Sequence, residues 1–152
     1  VLSGDEEAYL SAAGLISGIS DANGIAADLG GGSLELAEIG NKKVGSRQSL
    51  ALGTKIIAEN KIDLEQITAM IRKDFGKASY QKLYMIGGAF RFIGRFYMDF
   101  VHYPIKNLHN LEIGREDFEI YLEKLDRIHR LHSAQYEQNK IDYNATLVAK
   151  AM

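Results

Sequence analysis

Apolar and polar residues alternate along this chain in blocks, and each block has the period of one kind of secondary structure. Residues 5–17 follow Ser3, start with acidic residues and then repeat apolar residues at helical spacing, which predicts a helix capped by Ser3 or Asp5. Apolar runs at 24–29, 34–39 and 43–50 come next, separated by a triple glycine and by Gly40-Asn41-Lys42. Short runs joined by turn residues predict a three-stranded antiparallel meander.

The second half of the chain is mostly helical in pattern. We predict helices at about 54–59, 64–75, 89–100 and 142–152, another that opens after Gly114, and one short buried strand in the segment LYMIGG, residues 83–88. In the helix at 89–100, a row of apolar residues at helical spacing is predicted to be core: Phe90, Ile93, Phe96, Tyr97 and Phe100. The order of elements predicts an α/β fold with a mixed sheet flanked by helices.

Length and composition indicate one globular domain. The chain has 152 residues, of which 46% are hydrophobic and 25% charged, and its formal net charge is −2. This charge gives no reason to expect nucleic-acid or membrane binding, and no apolar run approaches the roughly 20 residues that span a bilayer. The absence of cysteine excludes a disulfide framework, a thiolate metal site and a cysteine nucleophile. A cytoplasmic location is expected.

The segment ADLGGGSLEL, residues 27–36, is the first candidate for chemistry. A hairpin turn needs one or two glycines, whereas Gly30, Gly31 and Gly32 are followed directly by Ser33. One interpretation is a phosphate loop whose successive N–H groups converge on an anionic oxygen, with a divalent cation that offsets the burial of Asp28. The alternative is a bulged hairpin in which Asp28 caps the turn.

Two further stretches, each at the start of a predicted helix, are candidates for chemistry. Asp5, Glu6 and Glu7 either complement the dipole of the first helix or supply one general base, and periodicity does not choose between Glu6 and Glu7. Gly87 and Gly88 form either a second backbone contact to a ligand or a tight turn with close strand–helix packing.

His129 and His132 lie three apart on a predicted helix. No carboxylate clearly converges on them, which favours surface histidines over a metal site.

Four segments in order, SGDEEAYLSAAGLIS, IAADLGGGSLELAEI, SLALGT and LYMIGGAFRFIGRF, resemble the exopolyphosphatase/guanosine pentaphosphate phosphohydrolase family. The resemblance extends from Val1 to about Gly114. It implies a ribonuclease-H-like domain of the actin and sugar-kinase superfamily, in which two such domains clamp a phosphate chain. The chain starts without an initiator Met, and the resemblance covers only the second domain, so we expect a fragment of a two-domain phosphatase.

The resemblance also implies roles for individual residues. The family pattern S-G-x-E-E-A makes Glu7 the expected catalytic base, and D-x-G-G-G-S-x-E makes Asp28 and Glu35 the expected ligands of Mg²⁺. The loop residues Gly30, Gly31, Gly32 and Ser33 are expected to hold phosphate, together with the glycine pair Gly87 and Gly88. The implied substrate is inorganic polyphosphate or a guanosine penta- or tetraphosphate, and the implied partners are the missing first domain and a second copy in a homodimer.

Three departures from the family pattern matter. Leu34 and Ala89 stand where the family commonly has threonine, and the first domain with its own phosphate loop is absent. Since phosphoryl transfer needs charge neutralisation from both sides, the isolated fragment is expected to bind weakly and turn over little. The alternatives are a polyphosphate or guanosine-nucleotide sensor without catalysis, a kinase-like or actin-like ATPase domain, and a purely structural domain.

Overall fold

A computed structural model describes residues 2–75, 80–105, 107–132 and 143–152. Within them, the elements in chain order are α1 Gly4–Gly18, β1 Gly24–Leu29, β2 Leu34–Gly40, β3 Lys43–Leu50, α2 Thr54–Asn60, α3 Leu64–Phe75, β4 Leu83–Ile86, α4 Gly88–Phe100, α5 Arg115–His132 and α6 Tyr143–Ala151. These bounds lie close to the sequence-based ones, and the largest difference is that β4 ends at Ile86, before the glycine pair.

The four strands form one mixed sheet in the order β3-β2-β1-β4. β1, β2 and β3 pair antiparallel through short connections, which confirms the predicted meander. β4 pairs parallel with β1 on the other side, so the intervening segment with α2 and α3 is the crossover that a parallel pair needs. As a result, β1 is flanked by β2 and β4, and its end lies centrally in the sheet.

Helices cover both faces of the sheet. Side chains of β1 alternate between a large apolar cluster shared with α2 to α6 and a smaller cluster beneath α1. Because both faces are covered, β1 and β2 are buried almost continuously, whereas the edge strand β3 is largely exposed. The result is a three-layer arrangement in which α1 is the one described helix on its side of the sheet.

Small residues set the distance between α1 and the sheet. α1 buries Ala8 and Ala12, and the strands present Ala26 and Ala37 on the facing side. Alanines on both surfaces permit close packing, so the larger Leu10 of the same helix is left 51% exposed. The helix that carries the acidic residues therefore lies close to the sheet.

On the opposite face, the aromatic row of α4 is only partly core. Phe90 and Ile93 are buried and Phe96 and Tyr97 pack against the cluster, as predicted, but Phe100 is 49% exposed. The prediction that Phe100 belongs to the core was wrong, because Phe100 lies in the last turn of α4.

No helix among the described residues is both long and apolar enough to cross a membrane.

Candidate active site

Two carboxylates lie directly opposite each other in the sheet. Asp28, next to last in β1, pairs in register with Glu35, the second residue of β2. Paired residues on adjacent antiparallel strands point to the same face, here the face under α1, with Cβ atoms about 5 Å apart. Like charges at this spacing repel, and Glu35 is only 6% exposed. The sheet therefore holds two acidic groups together at a cost.

A hydroxyl group donates a hydrogen bond to each carboxylate. Ser11 Oγ in α1 donates to Asp28 Oδ2 at 2.5 Å, and Ser49 Oγ in β3 donates to Glu35 Oε1 at 2.8 Å. Neither carboxylate forms an ion pair with any described residue. The two serines fix the orientation of the acidic groups and leave their charge unneutralised.

The first helix crosses this row of strand residues. A Cβ atom on Gly4 would lie 2.4 Å from Ser49 Cβ, so α1 starts in contact with β3, while Ser11 reaches Asp28 on β1. Ser49, Glu35 and Asp28 occupy adjacent register positions. Along the helix axis, Glu7 lies between these two contact points, with its side chain exposed beside the buried Ala8.

Hydrogen bonding distinguishes the three acidic residues of the first turn. Asp5 pairs with Arg47 at 2.8 Å, and Glu6 forms a capping box in which it accepts from the N–H and hydroxyl of Ser3. The hydrogen bond from the Ser3 backbone holds the pKa of Glu6 below its ordinary value. Glu7 is exposed, and its side chain has no partner among the described residues. Of the three, Glu7 is the one whose carboxylate has no hydrogen-bond or ion-pair partner among the described residues.

The loop Gly30–Ser33 joins β1 to β2. The N–H of Gly30 donates to Ser33 O at 3.0 Å, so this amide closes the loop and is not available to a ligand. The carbonyls of Gly30 and Gly31 accept from the N–H groups of Thr54 and Lys55, at 3.0 and 2.9 Å. The N–H groups of Gly31, Gly32 and Ser33 donate no hydrogen bond within the described part of the chain.

The loop glycines are not explained by backbone conformation. Positive φ angles occur at Gly24 and Gly87 among the described glycines, not at Gly30, Gly31 or Gly32. A Cβ atom on Gly32 would meet nothing within 4 Å. Neither strain nor crowding in the fold requires glycine at position 32, which leaves close approach of a ligand as a physical reason for it.

Two other glycines do have a steric reason. A Cβ atom on Gly53 would lie 2.3 Å from backbone atoms of Gly31 and Gly32. Gly87 has φ +94°, and its Cβ would lie 2.7 Å from Asp28 Oδ1. Gly87 thus makes the close packing that the sequence offered as one alternative, and it does so against Asp28 itself. Gly88, by contrast, opens onto free space.

The donor set suits a magnesium ion that keeps waters and substrate oxygens. No three His, Asp or Glu side chains of the described residues lie close enough to enclose a metal. Mg²⁺ is commonly held by one or two carboxylates plus phosphate oxygens, and Asp28 and Glu35 supply such a pair. The ring of His129 stacks on that of Tyr143 with 3.8 Å between the ring centroids, and the side chain of His132 lies outside the described residues.

Sequence reasoning missed two residues of the site. Ser11 is four residues after Glu7 and hence on the same side of α1, which is the signal that could have found it. Lys55 follows Gly53 by two residues, and its side chain lies against Gly31. Nothing in the spacing of Lys55 indicated this contact.

A glycine loop thus lies beside paired carboxylates in a mixed sheet with a parallel fourth strand. A family model identifies the class of protein: the Ppx/GppA phosphatase family matches residues 1–152, and the chain belongs to this family. Among curated proteins, no significant match was found.

Solved structures share the fold. An exopolyphosphatase from Cytophaga hutchinsonii superimposes with a TM-score of 0.69 at 15% identity over 97% of this chain and 55% of its own. A Ppx/GppA family member from Aquifex aeolicus gives a TM-score of 0.66 at 16% identity, over 99% and 53% respectively. The chain therefore spans about half the length of these relatives. The expected α/β fold, a mixed sheet flanked by helices, is confirmed, and these Ppx/GppA structures share it.

Proposed function

We propose that this chain is the second domain of a phosphohydrolase that cleaves phosphoanhydride bonds of inorganic polyphosphate or guanosine pentaphosphate. Family membership and structural neighbours named as exopolyphosphatases support this class of reaction. The observation that carries the proposal is the position of Glu7 on the helix that crosses the Asp28–Glu35 pair. In this arrangement the base, the two carboxylates and the unpaired amides of the loop all act on the same phosphate group.

Glu7 acts as the general base in this proposal. Its carboxylate is exposed and without a partner among the described residues, and it lies one helical turn from Ser11, which holds Asp28. An attacking water needs only hydrogen-bond contact with such a group to transfer its proton in the transition state. Glu7 accepts that proton while the water attacks the terminal phosphorus in line with the leaving phosphate.

The loop and the carboxylates position the substrate. The N–H groups of Gly31, Gly32 and Ser33 bind oxygens of the terminal phosphate, because successive unpaired amides create an anion-binding concavity. Asp28 and Glu35 would hold Mg²⁺, which supplies charge neutralisation when bound. Gly87 packs against Asp28, and the open space at Gly88 allows the phosphate chain to approach the start of α4.

The substitutions at Leu34 and Ala89 do not favour a non-catalytic sensor. Leu34 is fully buried in the large apolar cluster, on the face of the sheet opposite to Asp28 and Glu35. Ala89 also packs against that cluster. A hydroxyl group at position 34 would face the core, so its loss leaves the proposed catalytic groups intact.

Phosphate release from polyphosphate, guanosine pentaphosphate and ATP tests the function in the full-length protein. Glu7→Gln is expected to lower kcat by about 10²- to 10⁴-fold, because it removes the base and retains the shape of the side chain. Glu6→Gln is the matched control, since Glu6 is engaged by Ser3.

Equal rates for the wild type and Glu7→Gln would remove Glu7 from the mechanism. Release from ATP alone would favour the ATPase alternative, and tight binding of polyphosphate without release would favour the sensor.

A further inference from the structure

Lys55 is held beside the glycine loop by its own backbone. Its N–H donates to Gly31 O at 2.9 Å, and the neighbouring Thr54 N–H donates to Gly30 O at 3.0 Å. From the other side, Asn144 Nδ2 in α6 donates to Thr54 O at 3.0 Å. The backbone of Lys55 is therefore fixed relative to both the loop and the helical layer.

The side chain of Lys55 extends along the loop. Its Cδ and Cε atoms lie 3.4 Å from the position that a Cβ on Gly31 would take, and Cγ lies at 3.6 Å. A methyl group at position 31 would touch these carbons, so the aliphatic part of the Lys55 side chain lies next to Gly31. The ammonium group is one bond beyond Cε, which brings it within reach of an anion seated on the loop.

The charge of Lys55 is not used within the fold. Lys55 is exposed and forms no ion pair with any described residue. The adjacent amides of Gly31, Gly32 and Ser33 are also without acceptors in the described part of the chain. A cation and three unpaired N–H groups in one place suit an oxygen-rich anion, since an ammonium binds phosphate as a compact point charge.

We propose that Lys55 is a phosphate-binding residue that contacts the substrate phosphate seated on the Gly30–Ser33 loop. This inference rests on the proposed function and adds to it a side-chain cation on the side of the loop formed by α2. Because the ligand is a polyanion, the contribution of Lys55 depends on salt, unlike that of the backbone amides, which carry no net charge.

Calorimetric titration of tripolyphosphate in the presence of Mg²⁺, at several salt concentrations, tests the inference in the full-length protein. Lys55→Ala is expected to weaken binding about ten-fold at low salt, with a smaller difference at high salt. Lys55→Arg is expected to retain most of the affinity, because the charge remains. Lys43→Ala is the control. Lys43 is exposed and begins β3, where it pairs with Gly40 at the end of the sheet away from the glycine loop.

The outcomes separate the two proposals. If the wild type binds tripolyphosphate and Lys55→Ala binds equally well, the role of Lys55 is overturned and the proposed function stands. If Lys43→Ala weakens binding as much as Lys55→Ala does, the effect is one of general charge and the specific role is likewise overturned. No binding by the wild type would overturn both. Matching thermal melts of the variants exclude unfolding as the cause.

Discussion

Ser11 in the first helix donates a hydrogen bond to Asp28 at the end of the central strand, with 2.5 Å between Oγ and Oδ2. This contact joins the helix that carries Glu7 to the strand that carries the first carboxylate. It therefore fixes the distance between the proposed base and the proposed magnesium ligands, although Ser11 touches neither substrate nor metal in this scheme.

Ser11→Ala is expected to lower kcat/KM and to raise the Mg²⁺ concentration for half-maximal activity, each by about ten-fold or more, as seen when partners of metal ligands are removed. Ser11→Thr keeps a hydroxyl and should restore most of both. Ser17→Ala serves as the control, because the Ser17 hydroxyl donates, within the described part of the chain, to the carbonyl of Ala13 in its own helix and to no other group. An unchanged Mg²⁺ requirement in Ser11→Ala would argue against a positioning role.

Magnesium and substrate are expected to stabilise the protein together. At a ligand concentration ten times its Kd, the gain in unfolding free energy is about 1.4 kcal/mol, which thermal melts detect. Asp28→Asn and Glu35→Gln should each abolish the shift caused by Mg²⁺ with polyphosphate. If neither Mg²⁺ nor polyphosphate changes the melting temperature of the wild type, a purely structural domain is supported.

Gly32 and Gly53 should respond in opposite ways to the same substitution. Gly32→Ala is expected to leave stability within about 0.5 kcal/mol, because the methyl group enters open space, but to weaken phosphate binding at the loop. Gly53→Ala is expected to cost about 1–3 kcal/mol, because its methyl group would overlap the loop backbone. Denaturant unfolding and tripolyphosphate titration measure the two effects. Unimpaired binding by Gly32→Ala would count against the phosphate loop.

The hydrogen bond from the Tyr80 hydroxyl to Glu38 predicts a dependence of stability on pH. It holds the pKa of Glu38 below its ordinary value and raises the pKa of Tyr80 to about 12. For Tyr80, the contribution to stability is complete below the unfolded pKa of about 10 and is lost as pH rises through about 12. For Glu38, it is complete above the ordinary carboxyl pKa and is lost as pH falls through the lowered value.

Tyr80→Phe is therefore expected to destabilise the protein by about 1 kcal/mol at pH 5–9. The difference from the wild type should disappear in strong acid and above about pH 12. Urea unfolding across this range provides the measurement, with the exposed Tyr9→Phe as control. A difference that stays constant to the highest pH would show that the hydroxyl acts through packing alone.

Much of the architecture followed from local patterns. The spacing of apolar residues and the positions of turn residues predicted the meander and the helices. These signals are local, because the burial of alternate side chains and the effects of glycines and helix caps act within a few residues of the chain. The pairing of Asp28 with Glu35 is also local, since a four-residue loop joins their strands. Patterns could not show that Phe100 lies outside the core, because exposure depends on which helices cover it.

The sequence by itself determined the element order, the glycine loop and the family to which the four motifs point. Only the tertiary structure decided that Glu6 is bonded to Ser3 while Glu7 has no partner among the described residues, that Ser11 meets Asp28, and that Lys55 lies next to Gly31. These contacts join α1 to a strand 17 residues away and α2 to the loop before it. The physical reason is that a hydrogen bond or steric contact between elements depends on their packing distance and orientation, which no periodicity within one element encodes.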